Sequence, residues 1–170
     1  MTPIVSIIMG STSDMPVMEA AAKYLNDMQI PFEINALSAH RTPELVAEFA
    51  KNAASKGIKV IIAAAGGAAH LPGVIAASTV LPVIGVPIKT TMGMEAWDSM
   101  LSIIQMPPGI PVATVGVNAA QNAAILATQI LAVADPEIRE KVAAKKASLA
   151  YKITKANEEL KKVKFDYKTN

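Results

Sequence analysis

Two histidines and two arginines are all the chain holds, and one of each stands side by side in LSAHRTP, residues Leu37 to Pro43. A histidine transfers protons near neutral pH, and an arginine beside it can grip a phosphate or carboxylate through parallel N–H bonds. His40 and Arg41 therefore suit proton transfer on a substrate that carries an anion. A surface or capping role fits His40 taken alone. The second histidine, His70, lies in AAAGGAAHLPG, where every residue from Ala63 to Ala69 is Ala or Gly. Side chains this small let a flat ring approach the backbone, although a lone Gly-Gly pair is usually only a turn. GSTSD, Gly10 to Asp14, is the third candidate. Its backbone N–H groups and the Ser11 and Ser13 hydroxyls suit an anion at a helix N-terminus, and Asp14 suits sugar hydroxyls better than a phosphate. Ordinary helix capping explains the same residues. The pattern is neither a Walker A loop nor G-x-G-x-x-G.

Other chemistries find no support. The chain has no cysteine, which removes disulfides, thiolate metal sites and cysteine nucleophiles. Two histidines without carboxylates at ligand spacing make a weak case for zinc, and no G-x-S-x-G elbow is present.

Short apolar runs alternating with helical patterns place these residues. Ile4 to Met9 reads as a buried strand, and Val17, Ala21, Tyr24, Leu25 and Met28 fall at helical spacing after it. Phe32 to Leu37 is a second strand. Thr42-Pro43-Glu44 then carries the marks of a helix start, and Leu45, Phe49, Ala50 and Ala53 make one apolar face. Ile58 to Ala65, Pro82 to Val86 and Ile110 to Val115 are three further strands. Helices are expected from about His70, over Gly93 to Gln105 with Met94, Trp97, Leu101 and Ile104 on one face, and over Asn118 to Ala134. Asp135-Pro136-Glu137 opens a long amphipathic helix. This order predicts one α/β domain over residues 1–170 with a parallel, doubly wound sheet, residues 136–170 forming a helical extension. Ligands in such folds sit outside the carboxyl ends of the strands. Ser11 to Asp14, Ser38 to Arg41, Gly66 to His70 and Pro87 to Thr91 all follow predicted strands, so they should share one rim.

Charge and hydropathy bound the partners. A net charge of +2 is no nucleic-acid footprint, although lysine concentrates after Glu140. Val60 to Ile88 and Ser99 to Ala134 contain no Asp, Glu, Lys or Arg, but Gly and Pro interrupt both, so no membrane span is expected. Helices apolar almost all round suggest burial between copies of the chain. The N-terminus reads as a strand rather than a signal peptide, and a cytoplasmic location is the default.

MGSTSD, SAHRTP, AGGAAHLPG, PVIGVP and SIIQMPPGIPVATV, in this order and spacing, resemble the bacterial 5-(carboxyamino)imidazole ribonucleotide mutases of purine biosynthesis (class I) from about Ile4 to Ala134. The resemblance implies a three-layer α/β/α sandwich of flavodoxin-like or Rossmann-like kind, a homo-octamer, and no metal or organic cofactor. It implies transfer of a carboxylate from the exocyclic amine of an aminoimidazole ribonucleotide to the ring carbon. His40 matches the proton-shuttling histidine. Ser11, Asp14 and Arg41 match ribonucleotide-binding positions, with Ser13, Ser38 and Ala39 beside them. Gly66, Gly67, Ala68, His70 and Leu71 match the loop that encloses the carboxylate or CO2. The animal-type carboxylase, which uses CO2 directly, is similar around MGSTSD but typically has lysine after Ser-Ala-His; Arg41 and AGGAAHLPG favour the mutase. A nucleotide-binding module without catalysis would have no need of His40. Ala64 stands where many members have glycine, Val115 to Ala124 departs from their pattern, and so does the lysine-rich C-terminus from Tyr151.

Overall fold

The computed structural model describes residues 1–170. Five strands form one parallel sheet in the order β2-β1-β3-β4-β5. They are β1 (Val5–Met9), β2 (Phe32–Ala36), β3 (Val60–Gly66), β4 (Val83–Ile88) and β5 (Ala113–Thr114). Between them run α1 (Met15–Asp27), α2 (Pro43–Asn52), α3 (Leu71–Ala76) and α4 (Trp97–Ile104); α5 (Ala120–Ala132) and α6 (Pro136–Lys161) follow. This is the flavodoxin-like strand order, and chain direction across the sheet reverses between β1 and β3.

The alternation of strand side chains divides the core in two. Val5, Ile7 and Met9 of β1, with Ile62 and Ile84, pack against α1 and α5 through Met18, Leu25, Ala123 and Ala127. Ile8, Ile61 and Ala63 face the other way, onto Val46 of α2, Ile75 of α3 and Ile103 of α4. Both faces of β1, β3 and β4 are therefore covered, which explains strands that read as unbroken apolar runs. The three-layer α/β/α expectation holds.

Several local expectations change. In α2 the buried stripe is Val46 and Ala50, continued by Ala53, while Leu45 is exposed. Thr42 does not cap α2 with its side chain. Its hydroxyl instead accepts from Ser38 N (3.0 Å) and donates to Ser38 O (3.1 Å), closing the loop that carries His40. The helix expected from Gly93 begins only at Trp97, because Glu95 and Ala96 adopt left-handed backbone with φ of 54° and 71°. Ser99 then donates to Ile88 O (3.0 Å) and turns Ser99 and Ile103 inward. The predicted apolar face of Met94, Trp97, Leu101 and Ile104 consequently points outward, each residue more than half exposed. Left-handed backbone at Asn118 likewise delays α5 to Ala120.

The C-terminal helix starts as expected: Asp135 accepts from Glu137 N and Ile138 N. Ile138 and Val142 pack against the α1–α5 side, and Lys141 donates to Met28 O (3.2 Å). From Ala143 to Lys161 every residue is exposed. No helix is long and apolar enough to cross a membrane.

Candidate functional site

A cavity of about 200 Å³ opens at the carboxyl ends of β1, β2, β3 and β4. Each of the first three strands stops in a loop rich in Gly, Ala or Ser, so backbone and short side chains make the walls. The β1 loop supplies Gly10, Ser11, Ser13 and Asp14; the β2 loop supplies Ser38, Ala39, His40 and Arg41; the β3 end supplies Ala65, Gly66, Ala69, His70 and Leu71; β4 adds Thr90. The four loops share one rim, between the strands where the sheet changes direction.

The β1 loop is a short 3-10 turn, Thr12–Asp14, ahead of α1. Ser11 Oγ accepts from Ser13 N (3.3 Å), so Ser11 is the cap, while Asp14 caps nothing with its side chain. The Asp14 carboxyl is buried instead, and Ser13 Oγ donates to it at the long distance of 3.5 Å. Burial pushes its pKa above the ordinary 3.8, while hydrogen bonds from the Ser11 backbone and the Ser13 side chain pull it back. The folded chain thus holds this proton more tightly than the unfolded chain. Stability linked to Asp14 is full below the unfolded value and is lost as pH rises through the raised folded one. Asp14→Asn should accordingly melt higher than the parent at pH 7, and the gap should close as pH falls below about 3.8. Melting curves at pH 7 and pH 3 check this; a gap that persists at pH 3 would have another cause.

Arg41 reaches across the rim. Its Nη2 donates to Gly10 O (3.0 Å) and its Nε to Ser38 Oγ (3.3 Å), while the Arg41 backbone N–H donates to the same Ser38 hydroxyl. Two of five side-chain N–H groups are thereby used, and the remainder are free for an anion. The fork is exposed but its direction is fixed by the β1 and β2 loops together.

The two histidines meet. His40 Nε2 lies 2.7 Å from His70 Nδ1, and the rings pack edge to face with centroids 4.9 Å apart. Below them is the floor of Ala65, Gly66 and Ala69. Gly67 and Ala68 stand outside the lining; Gly67 takes φ of 61° and turns the loop, and Ala68 O accepts from Ser102 Oγ (2.6 Å) of α4. Thr90 belongs to the Pro87 to Thr91 segment expected on the rim, and it packs against the end of β3: Gly66 pairs with Ile88, and a Cβ on Gly66 would stand 2.2 Å from Thr90 Cγ2. No group of three or more His, Cys, Asp or Glu side chains converges as a metal set.

A profile of the AIR carboxylase family matches residues 4–152. The chain belongs to the AIR carboxylase family. Within it, an N5-carboxyaminoimidazole ribonucleotide mutase from Pyrococcus abyssi is 61% identical over 140 residues, 82% of this chain and 80% of that protein. A phosphoribosylaminoimidazole carboxylase from Schizosaccharomyces pombe is 54% identical over 137 residues, 81% of this chain but only 25% of that protein. The crystal structure of PurE from Treponema denticola superposes with a TM-score of 0.84 at 33% identity, covering 94% of this chain and 99% of that one. Relatives in an archaeon and a yeast mean that the likeness extends beyond bacterial members.

Proposed function

We propose that this AIR carboxylase family member is a mutase of purine biosynthesis. It converts 5-(carboxyamino)imidazole ribonucleotide to 4-carboxy-5-aminoimidazole ribonucleotide. The observation that carries the proposal is His40 standing in one cavity with the Arg41 fork and the Ala-Gly floor, in a chain 61% identical to a protein of that name.

The steps follow from what each group can do. Arg41, Ser11 and Ser13 hold the anionic end of the ribonucleotide, and Asp14 takes sugar hydroxyls; Ser38 and Ala39 shape that side. The bond between the exocyclic nitrogen and the carboxylate breaks, CO2 is released, and His40 gives a proton to that nitrogen. The floor of Ala65, Gly66 and Ala69, with Leu71 and His70, confines the CO2 in a small space, and the Gly67-Ala68 turn outside the lining holds that floor in shape. The ring carbon, now enamine-like, attacks the CO2. His40 then removes the proton from that carbon and aromaticity returns. One proton leaves His40 and one comes back, so a single acid–base group suffices. The residues require no metal or organic cofactor for these steps.

Presenting either the carbamate ribonucleotide, or aminoimidazole ribonucleotide with bicarbonate, and following the 4-carboxy product by absorbance tests the proposal. Turnover of the carbamate alone is expected. Turnover only of aminoimidazole ribonucleotide with CO2 would make the chain a direct carboxylase.

The same reading places the chain in the cytoplasm as a homo-octamer, one catalytic domain whose residues 136–170 contact a neighbour. The outward face of Trp97, Leu101 and Ile104, with Met94 beside it, supports burial between copies, since an apolar strip of this size rarely stays in water. Leu101→Asp should lower the mass measured by light scattering and leave the far-ultraviolet circular dichroism intact, because Leu101 is half exposed in the single chain. An unchanged mass would clear this face of an interface role.

A further inference from the structure

We propose that His70 is a positioning residue that sets the tautomer of His40. The proposal rests on the mutase reading for its direction but on geometry for its existence. His40 follows β2 and His70 precedes α3, thirty positions apart in sequence. Their nearest ring nitrogens are 2.7 Å apart, a distance that holds one proton and not two. Neither imidazole makes another hydrogen bond within the chain, so each is the other's only internal partner.

A shared proton couples the two rings. A neutral imidazole carries one proton, and the bond made by one nitrogen decides where it sits. If His40 owns the shared proton, His40 is protonated at Nε2; His70 Nδ1 then accepts, and His70 carries its own proton at Nε2. If His70 owns it, both rings are protonated at Nδ1 instead. The pair therefore exists as Nε2–H on both rings or Nδ1–H on both, and the mixed states lose the bond. The first step of the reaction needs a proton ready for the exocyclic nitrogen, and the form of His40 that can give one is the imidazolium, protonated at both ring nitrogens. Its Nε2–H donates to His70 Nδ1, which selects Nε2–H on His70, and Nδ1, the His40 nitrogen with no partner in the chain, carries the proton that passes to the exocyclic nitrogen as the nitrogen–carboxylate bond breaks. The neutral ring left behind keeps its Nε2–H on His70 Nδ1, and its bare Nδ1 later takes the proton of the ring carbon and restores the imidazolium. No proton is gained or lost over the cycle.

The chain's having only two histidines makes the test direct. The full chain labelled with 15N in histidine alone yields two imidazole spin systems. At a pH where both rings are neutral, both should be protonated at Nε2 alone, with scalar coupling between His40 Nε2 and His70 Nδ1 across the shared proton. Protons on Nδ1, or shifts averaged between tautomers with no coupling, would overturn the proposal. Two variants extend it. His70→Asn places an amide oxygen near the position of Nδ1 and should keep kcat within about tenfold of the parent. His70→Leu offers no acceptor and should lower kcat by about 10–100-fold, the usual cost of losing a partner that orients a functional histidine, with KM little changed. Equal kcat losses in both variants, or a loss confined to KM, would overturn the positioning role. A parent protein that fails to turn over the carbamate would remove the mutase reading while the coupling between the two rings still stands.

Discussion

Replacing His40 by asparagine is expected to leave the ribonucleotide bound and to cut turnover by about 10²–10⁴-fold, the usual contribution of a general acid–base group. Asparagine keeps a polar group near the position of Nδ1 but has no proton to exchange near neutral pH. His40 is exposed and lies in a loop closed independently by Thr42 and Ser38, so its loss removes little packing. The thermal midpoint should shift by no more than the equivalent of about 0.5 kcal/mol. Calorimetric titration gives the affinity, product absorbance gives kcat, and a melt shows that the fold is intact. The pattern of unchanged affinity with collapsed kcat separates a catalytic group from a binding one. Turnover retained within tenfold would take His40 out of the mechanism.

The rim was legible in the sequence because each of its strands announces its own end. Gly10 with three hydroxyl residues, Ser38 before His40, and Gly66-Gly67 are all places where an apolar run gives way to a turn, and a parallel sheet collects such ends on one edge. Small residues at those ends are also what allows Arg41 to cross to Gly10 O. What the periodicity could not supply was the direction of α4. An apolar stripe tells which residues share a face, and nothing about what covers it. The direction is set by Ser99, a polar residue that the stripe ignores, through its bond to Ile88 O. The late start of α4 rests on left-handed backbone at Glu95 and Ala96, which non-glycine residues seldom adopt and no residue type there signals.

The contact between the histidines was hidden for a related reason. Strand order fixes which loops are neighbours, but a difference of one ångström decides between two rim residues and a hydrogen-bonded pair. That distance follows from Gly67 and Ala69, whose φ values of 61° and 49° fold the loop so that His70 turns toward His40. Gly-Gly suggested a turn; the left-handed alanine two residues later is the part that aims His70.

Gly66→Ala should disable the site by closing up the end of β3. The added Cβ would lie 2.2 Å from Thr90 Cγ2 and 3.1 Å from Ile88 O. The Ile88 contact cannot relax easily, because β4 is hydrogen-bonded between β3 and β5. Thr90 must move, and a β-branched side chain has few rotamers to move into. Overpacking of this kind costs about 1–3 kcal/mol. Thr90 lines the cavity, so its displacement also shifts a wall beside the reacting groups, and misplacement near 1 Å can cost about 10²-fold in rate. Adding Thr90→Ser removes Cγ2 and keeps the hydroxyl, so the double variant should recover much of the turnover and part of the melting temperature, the Ile88 O contact remaining. Gly67→Ala serves as the contrast: open space surrounds its Cβ position, and only the φ of 61° opposes it. It should lose about 1–2 kcal/mol to backbone strain without moving Thr90. If Gly66→Ala melted and turned over like the parent, close approach of β3 to Thr90 would not be what shapes the cavity, and the glycine at that position would need another explanation.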